Sequence, residues 1–286
     1  MLFLGSSFVV VQGAYILGWQ PDLHTRILTA SLLQLALLLA LFKAFTVLLE
    51  DKPLGSIGIY PHSRWAWELG VGIGLGLLLI SGAVGIQIAL GVAEIDFNSG
   101  EIWNLLPSGL FFVCLFGASA ANEELAFRGY PFQRLVESIG RYGATGVLSA
   151  LFGFVHWLNP HHTWISTLNT MLVGVAFCMA YLRTRSLWLP TGLHFSWNLF
   201  QGFGFGIPVS GYELPRSLFR VRVEGAEYWT GGAYGLEGSL VATVVILLLM
   251  AYLGSSKSLY VTGDMRMHLE NGLPAGNGEG QLFPGG

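Results

Sequence analysis

Long stretches without a charged side chain constrain this sequence more than any other feature. Residues 69–93 contain no Asp, Glu, Lys or Arg, and none of these residues occurs between Arg141 and Arg183. A helix that crosses a lipid bilayer needs about 20 mostly apolar residues. The sequence therefore predicts a membrane protein with several spanning helices.

The overall composition leads to the same prediction. Ala, Val, Ile, Leu, Met, Phe, Trp, Tyr and Cys make up 53% of the 286 residues, and charged residues make up 11%, compared with about 25% in soluble domains. These values exclude an ordinary cytosolic enzyme and a disordered chain. The net charge of −3 leaves no basic surface for nucleic acid. Cys114 and Cys178 lie in apolar runs, which predicts buried thiols rather than a disulfide or a cysteine metal site.

Eight stretches are apolar enough to be membrane spans, which predicts an all-α, polytopic fold with about eight transmembrane helices. The first stretch lacks a basic leader and a small-residue cleavage site, so we interpret it as a retained helix rather than a signal peptide. The predicted spans are residues 2–19, 27–49, 69–93, 103–127, 143–158, 164–182, 187–209 and 233–254.

The distribution of Lys and Arg predicts the orientation, because cytoplasmic loops are enriched in basic residues. Placing both termini in the cytoplasm puts the loop that contains Arg134 and Arg141 inside. The loop that contains Asp96 carries no basic residue and is then outside. Residues 257–286 are rich in glycine towards their end, and we expect a cytoplasmic, disordered tail there.

A charged cluster, Asn122–Arg128, ends the fourth predicted span. Ionisable groups inside a bilayer are costly, so each one is a candidate functional residue. Glu124 and Arg128 are four residues apart, share one helix face and can form an ion pair. Glu123 is rotated by about 100° from Glu124, which leaves its carboxylate available for chemistry.

Two further polar pairs lie in later spans, again four residues apart: Phe152 with His156, and His194 with Asn198. A carboxylate beside an imidazole can deprotonate water, and a second imidazole with an amide can stabilise an oxyanion. We therefore expect these residues to meet in a cavity inside the helix bundle, where water would attack a carbonyl group. The same donors also suit Zn²⁺, although the sequence contains no H-E-x-x-H motif.

These three motifs, in this order, resemble those of the CPBP (Abi) family of CAAX-protease and bacteriocin-processing peptidases, which includes the type II CAAX prenyl endopeptidase. The resemblance implies an intramembrane endopeptidase in which Glu123 is the base and His156 helps to activate water. His194 and Asn198 would bind the oxyanion, and Glu124, Arg128 and Phe152 would support the site. It favours a mechanism without a cofactor; if a metal such as Zn²⁺ is bound instead, we expect Glu123, His156 and His194 to be its ligands.

The resemblance also divides the chain and suggests its partners. We assign N-terminal transmembrane helices to residues 1–102, a CPBP-like catalytic core to 103–204, an outer loop with the last span to 205–256, and the tail to 257–286. The implied partners are membrane lipid and a membrane-associated or prenylated peptide or protein. Two alternative functions remain open: a transporter or proton-coupled membrane protein, because buried Glu and His also form proton relays, and a non-catalytic immunity or secretion factor.

Overall fold

The computed structural model describes residues 23–98 and 102–270, and it is about 74% helical. The predicted first span and the last part of the predicted tail, residues 271–286, lie outside the described residues. The helices are α1 (Leu23–Glu50), α2 (Trp65–Ala89), α3 (Ile102–Arg128), α4 (Tyr130–His156), α5 (Trp164–Thr184), α6 (Trp188–Leu199), α7 (Glu227–Thr230), α8 (Leu240–Ser255) and α9 (Gly263–Glu270), and the strands are β1 (Ala93–Phe97) and β2 (Phe219–Val223).

The helical membrane architecture is confirmed, but the predicted count of eight spans is not. Four segments of the described residues are long and apolar enough to cross a membrane: Thr25–Glu50, Trp65–Ala89, Leu105–His156 and Trp164–Thr184. The third of these contains both α3 and α4, which meet at Gly129. Helix α6 is short and continues into a π-helical turn, Phe200–Gly204. Helix α8 begins later than predicted, because Ser239 caps it by accepting a hydrogen bond from the Ala242 N–H.

The structure corrects the predicted loop between the fourth and fifth spans. Residues 130–139 are helical, so Arg134 lies on a helix rather than in a loop. Pro131 is in the first turn of this helix, where its missing N–H has no cost. Gly140 interrupts α4 with φ 74° and ψ 166°, a conformation that favours glycine. The spanning part of α4 therefore begins just after this break.

A two-stranded antiparallel sheet departs from the all-α prediction. Strand β1 pairs with β2 in a register that sets Ala93 opposite Val223 and Phe97 opposite Phe219. The Asp96 carboxylate forms an ion pair with Arg222 across the strands. Both strands alternate apolar and polar residues, as AEIDF and FRVRV, which is the period-two pattern of a strand. The sequence analysis missed this signal because each run has only five residues. Together with residues 205–239, the sheet forms what we call the sheet end of the bundle.

The opposite end, here called the tail end, gathers residues 51–64, 129–134, 185–187 and 256–270. The Leu187 N–H donates to the Gly58 carbonyl (2.9 Å), and the Gln133 side chain donates to the Ser56 carbonyl (2.9 Å). Helix α9 docks here, so part of the segment predicted to be disordered is folded. Burial acts to raise the pKa of Asp264, but hydrogen bonds from Thr262 and Ser63 outweigh it and lower the pKa to about 2.

The cysteine prediction is correct for one residue and wrong for the other. Cys178 is buried, whereas Cys114 is exposed. Cys114 shares its face of α3 with the exposed residues Leu106, Leu110 and Val113. This face is both apolar and exposed, as a lipid-facing surface is. Composition alone does not distinguish a side chain that faces lipid from one buried in a protein core.

Helices α2 and α6 approach each other closely at glycine residues. A Cβ atom on Gly72 would collide with the Leu189 carbonyl and lie 2.9 Å from the Leu193 nitrogen, and one on Gly192 would lie 2.5 Å from the Leu69 carbonyl. Gly76 is equally close to the side chain of Ser196. The small residues at 72 and 76, four positions apart, thus permit backbone contact between the two helices.

We expect Gly72→Leu to destabilise the bundle, because its side chain has no room against the α6 backbone. Overpacking of this kind costs about 1–3 kcal/mol, and the readout is thermal unfolding of the purified protein in detergent. Gly74→Leu is the matched control, since a Cβ at Gly74 meets nothing within 4 Å. Equal stability of the two variants would contradict this account of the α2–α6 contact.

Candidate active site

A cavity of about 540 Å³ lies inside the bundle, between α3, α4, α5 and α6. The four residues predicted from helix spacing to converge, Glu123, His156, His194 and Asn198, all line it. Most of the remaining lining is apolar, and it includes Phe111, Phe112, Leu115, Phe116 and Trp197. Polar chemistry is therefore confined to a small part of an apolar space.

The Glu123 carboxylate lies between the two imidazoles. Its Oε2 atom is 3.8 Å from Nε2 of His156 and 3.8 Å from Nε2 of His194. Both separations exceed a direct hydrogen bond and match a gap that a water molecule can bridge. Among the described residues, Oε2 has no hydrogen-bond partner although the atom is buried. The same is true of Glu124 Oε2, but of these two described residues only Glu123 lines the cavity, so Glu123 is the one of the two carboxylates that can reach a bound molecule.

Glu124 has a different environment from its neighbour. Its side chain is fully buried, and its Oε1 atom is 3.2 Å from Nη1 of Arg128 and 2.9 Å from Nδ1 of His194. The predicted Glu124–Arg128 ion pair is therefore present. Through Oε1 it links Arg128 to His194, and because it is fully buried and does not line the cavity, it is poorly placed to bind water.

Arg128 is held from several sides. Its Nη2 atom donates to the Gly174 carbonyl at 3.2 Å, and its guanidinium lies 4.5 Å above the ring centre of Phe152 and 5.2 Å from that of Phe177. A Cβ atom on Gly174 would lie 3.3 Å from Arg128. The small residue in α5 thus lets the guanidinium reach a backbone carbonyl, which satisfies a charge that would otherwise be costly to bury.

The hydrogen bond of His156 to its own helix defines its tautomer. Nδ1 lies 2.8 Å from the Phe152 carbonyl oxygen, which can only accept. Nδ1 therefore carries the proton, and in the neutral ring Nε2 is unprotonated. This Nε2 atom faces Glu123 and the cavity, where it can accept a hydrogen bond from water.

His194 is positioned by Glu124 and by aromatic contacts. Its Nδ1 donates to the Glu124 carboxylate, so Nε2 donates as well when the ring is an imidazolium. The ring stacks on Phe177, with centroids 5.2 Å apart, and meets Phe152 edge-on at 6.3 Å. These contacts point Nε2 into the cavity.

Asn198 and Phe152 complete the predicted set. Asn198 lies one turn after His194 and lines the same cavity, so its amide can donate beside His194 Nε2. Phe152 is 2% exposed and packs against Arg128, Phe127 and the His156 ring. It therefore acts as a packing residue beneath the site.

The alternative of a metal centre depends on how the possible ligands are arranged. Within residues 23–98 and 102–270, no group of three or more His, Cys, Asp and Glu side chains is arranged to hold a metal ion. The predicted alternative Zn²⁺ ligands Glu123, His156 and His194 do face one another, at the distances given above. Whether the protein uses a metal is treated below as part of the proposal.

The sequence analysis missed another group of polar residues in the cavity. Asn159, Ser210, Glu213 and Glu237 also line it, on the side nearest the sheet end. One signal was available for Glu237, because it is an ionisable residue within the predicted span 233–254. Asn159 and Ser210 gave no signal, since they approach the cavity through loops that are distant in sequence.

The site therefore places a carboxylate between two imidazoles inside an apolar helical bundle. A comparison with protein families gives a match over part of the chain. The family described as "Type II CAAX prenyl endopeptidase Rce1-like" matches residues 103–200, which is 98 of the 286 residues and contains all three motifs. This match confirms the resemblance to CAAX proteases over that segment, and the apolar helices indicate an integral membrane protein. No curated protein and no solved structure gave a match.

We expect Arg128→Met to destabilise the protein by about 3–5 kcal/mol, the usual cost of leaving a buried charge unpaired. The loss should be smaller in a Glu124→Gln background, because the neutral amide no longer needs the guanidinium. A double-mutant cycle on unfolding in detergent measures this coupling. The control is Arg134→Met, which removes a partly exposed ion pair with Glu50 and should cost at most about 1 kcal/mol. Strictly additive effects of the Glu124 and Arg128 changes would refute the coupling.

Proposed function

We propose that this protein is an intramembrane endopeptidase that hydrolyses a peptide bond of a membrane-associated substrate. The observation that carries the proposal is the placement of Glu123 between His156 and His194 in a cavity that Asn198 also lines. The family match over the same helices supports it. Glu123, His156, His194 and Asn198 are the proposed catalytic residues.

The first chemical step uses Glu123 as general base. A water molecule that donates one hydrogen to Glu123 Oε2 can donate the other to the unprotonated Nε2 of His156. Glu123 takes a proton as the water oxygen attacks the carbonyl carbon, and the carbonyl electron pair moves to its oxygen. The resulting oxyanion accepts hydrogen bonds from His194 Nε2–H and the Asn198 amide.

The second step breaks the peptide bond. The oxyanion collapses, the C–N bond cleaves, and the protonated Glu123 gives its proton to the departing nitrogen. The products are a carboxylic acid and an amine, and Glu123 returns to its initial state. Glu124 does not exchange protons in this scheme; it compensates the charge of His194 and Arg128.

A cofactor is not needed for these steps, and we propose that the reaction proceeds without one. A Zn²⁺ ion bound by His156 and His194 would withdraw both imidazoles from the roles above, and Glu123 would become its third ligand. Glu124 would then have to act as base, which would break its pair with Arg128 and leave the guanidinium uncompensated.

The shape and lining of the cavity suggest the kind of substrate. Its apolar wall of Phe111, Phe112, Leu115 and Phe116 suits a lipid-attached or hydrophobic segment better than a soluble peptide. We therefore propose CAAX-type or related membrane-associated proteins as substrates and the surrounding lipid as a partner. A transporter is less well supported, because the polar groups converge on one cavity rather than form a file across the bundle.

The proposed topology has eight spans with both termini in the cytoplasm. Chain segments predicted to lie inside meet at the tail end, and those predicted to lie outside meet at the sheet end. This alternation supports the order of the predicted spans. The assignment of the tail end to the cytoplasm depends on the positive-inside rule.

We expect Glu123→Gln to reduce cleavage of a fluorogenic prenyl-peptide by at least about 10³-fold, because the amide cannot take a proton from water. Glu124→Gln should leave a measurable rate, since the base remains. Glu137→Gln on α4 is the surface control and should retain full activity. Substantial activity in Glu123→Gln would remove Glu123 from the proposed mechanism.

We expect chelators to leave the activity of the purified protein intact. The measurement is peptide cleavage after treatment with EDTA or 1,10-phenanthroline, alongside metal analysis of the active protein. Activity lost to chelator and restored by Zn²⁺ would favour the metal mechanism and make Glu124, rather than Glu123, the required base.

We expect a cysteine introduced at Asp96 to react with an impermeant maleimide from outside the cell, and one at Ser138 to react only after permeabilisation. Both variants are made with Cys114 and Cys178 replaced by alanine. Labelling with the opposite sidedness would invert the proposed topology.

A further inference from the structure

The β1–β2 sheet separates its side chains by chemistry. Alternate residues of a strand point to opposite faces, and the register therefore puts the apolar residues on one face and the charged residues on the other. The apolar face consists of Ala93, Ile95, Phe97, Phe219, Val221 and Val223, and the charged face consists of Glu94, Asp96, Arg220 and Arg222. Each acid on the charged face lies opposite an arginine, so this face compensates its own charges.

The apolar face of the sheet points toward the helix bundle. Ala93 and Val221 are 7% and 9% exposed, and they belong to a core cluster with Ile80 and Val84 of α2 and Val241 of α8. The charged face therefore points away from the bundle. A sheet with one face on the core and one face in water is common in antiparallel structures.

The bundle covers only part of the apolar face. Ile95 and Phe97 of β1 are 39% and 55% exposed, and Phe219 and Val223 of β2 are each 36% exposed. The rings of Phe97 and Phe219 meet edge-on, with centroids 5.7 Å apart. A contiguous apolar surface of this kind marks a contact with a partner or a membrane.

The position of the sheet along the bundle indicates what covers this surface. Helix α2 has 25 residues and is therefore about 37 Å long, whereas the hydrocarbon core of a bilayer is about 30 Å thick. Its ends therefore lie close to the boundary between lipid and water. Gly91, with φ 73°, turns the chain after α2, and β1 begins at Ala93. The sheet thus starts at the level where α2 leaves the hydrocarbon.

Helix α7 marks the same level independently of the sheet. The Gln87 side chain, in the last turn of α2, donates to the Trp229 carbonyl at 2.9 Å. Tyr228 and Trp229 are 49% and 38% exposed. Exposed Tyr and Trp are enriched at the boundary between lipid and water, so these two residues also place this part of the sheet end at the membrane surface.

The uncovered part of the apolar face continues the lipid-facing surface of α2. The exposed residues Ile86, Ile88 and Leu90 lead along the chain to Ile95 and Phe97 within ten residues. A bilayer surrounds the bundle on all sides. An apolar face that points toward the bundle and reaches past it therefore lies over the lipid beside the bundle, with its charged face turned to water.

We propose that the sheet is a membrane-surface anchor, which inserts the uncovered part of its apolar face into the phospholipid layer beside the bundle. Phe97 and Phe219 enter between the headgroups and the upper part of the acyl chains. Burial of these rings and of Ile95 supplies the favourable free energy. The charged face needs no anionic lipid, because its own residues balance. This inference does not depend on the proposed peptidase function.

The anchor is joined to the wall of the active-site cavity. The Val221 N–H of β2 donates to the Phe205 carbonyl at 3.0 Å, just after the π-helical turn. The ring of Phe203, within that turn, lies 5.6 Å from the ring of Phe112, which lines the cavity. The depth of the sheet in the membrane surface thus bears on the position of the chain beside the cavity.

Fluorescent probes at alternating positions test the anchor. An NBD group is attached to a single cysteine in Cys114→Ala/Cys178→Ala protein, which is reconstituted in phosphatidylcholine nanodiscs. Quenching by a lipid with a nitroxide high on its acyl chain is compared with quenching by aqueous iodide. The apolar-face variants are Ile95→Cys, Phe97→Cys and Phe219→Cys, and the matched charged-face controls are Glu94→Cys, Asp96→Cys and Arg220→Cys.

The two quenchers should rank the two faces in opposite orders. Since interfacial elements lie about 5–10 Å deep, we expect the nitroxide lipid to quench the apolar-face probes at least about twofold more strongly than the charged-face probes. Iodide should prefer the charged face. Equal access of iodide to both faces overturns the anchor, as does nitroxide quenching of both faces. Protection of the apolar face from both quenchers also overturns it, because a protein surface, such as a second copy of this chain, would then cover the face.

A second measurement keeps the native side chains, so a folding defect in a cysteine variant cannot hide the answer. The wild-type protein is irradiated in nanodiscs that contain phosphatidylcholine with a diazirine high on its acyl chain, and lipid adducts are located by mass spectrometry. We expect adducts on residues 93–97 and 219–223. The exposed end of α2, residues 86–90, is the positive control. Adducts on this control without adducts on the sheet would refute the anchor.

Discussion

The buried ion pair between Glu124 and Arg128 is the interaction on which the site depends. Glu124 accepts a hydrogen bond from Nδ1 of His194. The Arg128 guanidinium lies over the Phe152 ring and donates to the Gly174 carbonyl of α5. One pair on α3 therefore sets the positions of three other helices. A buried pair adds little net stability by itself; its value here is that removing either partner would leave several groups misplaced at once.

The same pair explains how two adjacent glutamates can have different roles. A helix turns by about 100° per residue, so Glu123 and Glu124 face different surroundings despite being neighbours. Glu124 faces two positively charged or donating groups, and both contact its Oε1 atom. Glu123 lines the cavity, and its Oε2 atom lies 3.8 Å from each of two Nε2 atoms. The different surroundings of the two carboxylates therefore follow from helix geometry.

The sequence predicts the parts of this site that depend on local geometry. The pairs Glu124–Arg128, Phe152–His156 and His194–Asn198 each span one helical turn, and apolar runs of the right length mark most of the helices that carry them. What the sequence does not predict depends on contacts between distant segments. The pairing of β1 with β2, the docking of α9 on the tail end, and the approach of Glu237 to His194 join residues tens to hundreds of positions apart. The break at Gly140 was missed for a different reason, because a single glycine in a helical pattern is usually tolerated.

The two walls of the cavity therefore have different origins. The wall that contains Glu123, His156, His194 and Asn198 is built from helices within residues 103–200, the segment that matches the CAAX-protease family. Glu237 and Ser210 lie outside that segment, on loops between the π-helical turn and α8. Loops tolerate changes in length and sequence better than packed helices do. The groups of the proposed hydrolysis therefore lie on packed helices, whereas the facing wall of the cavity is built from loops that can vary.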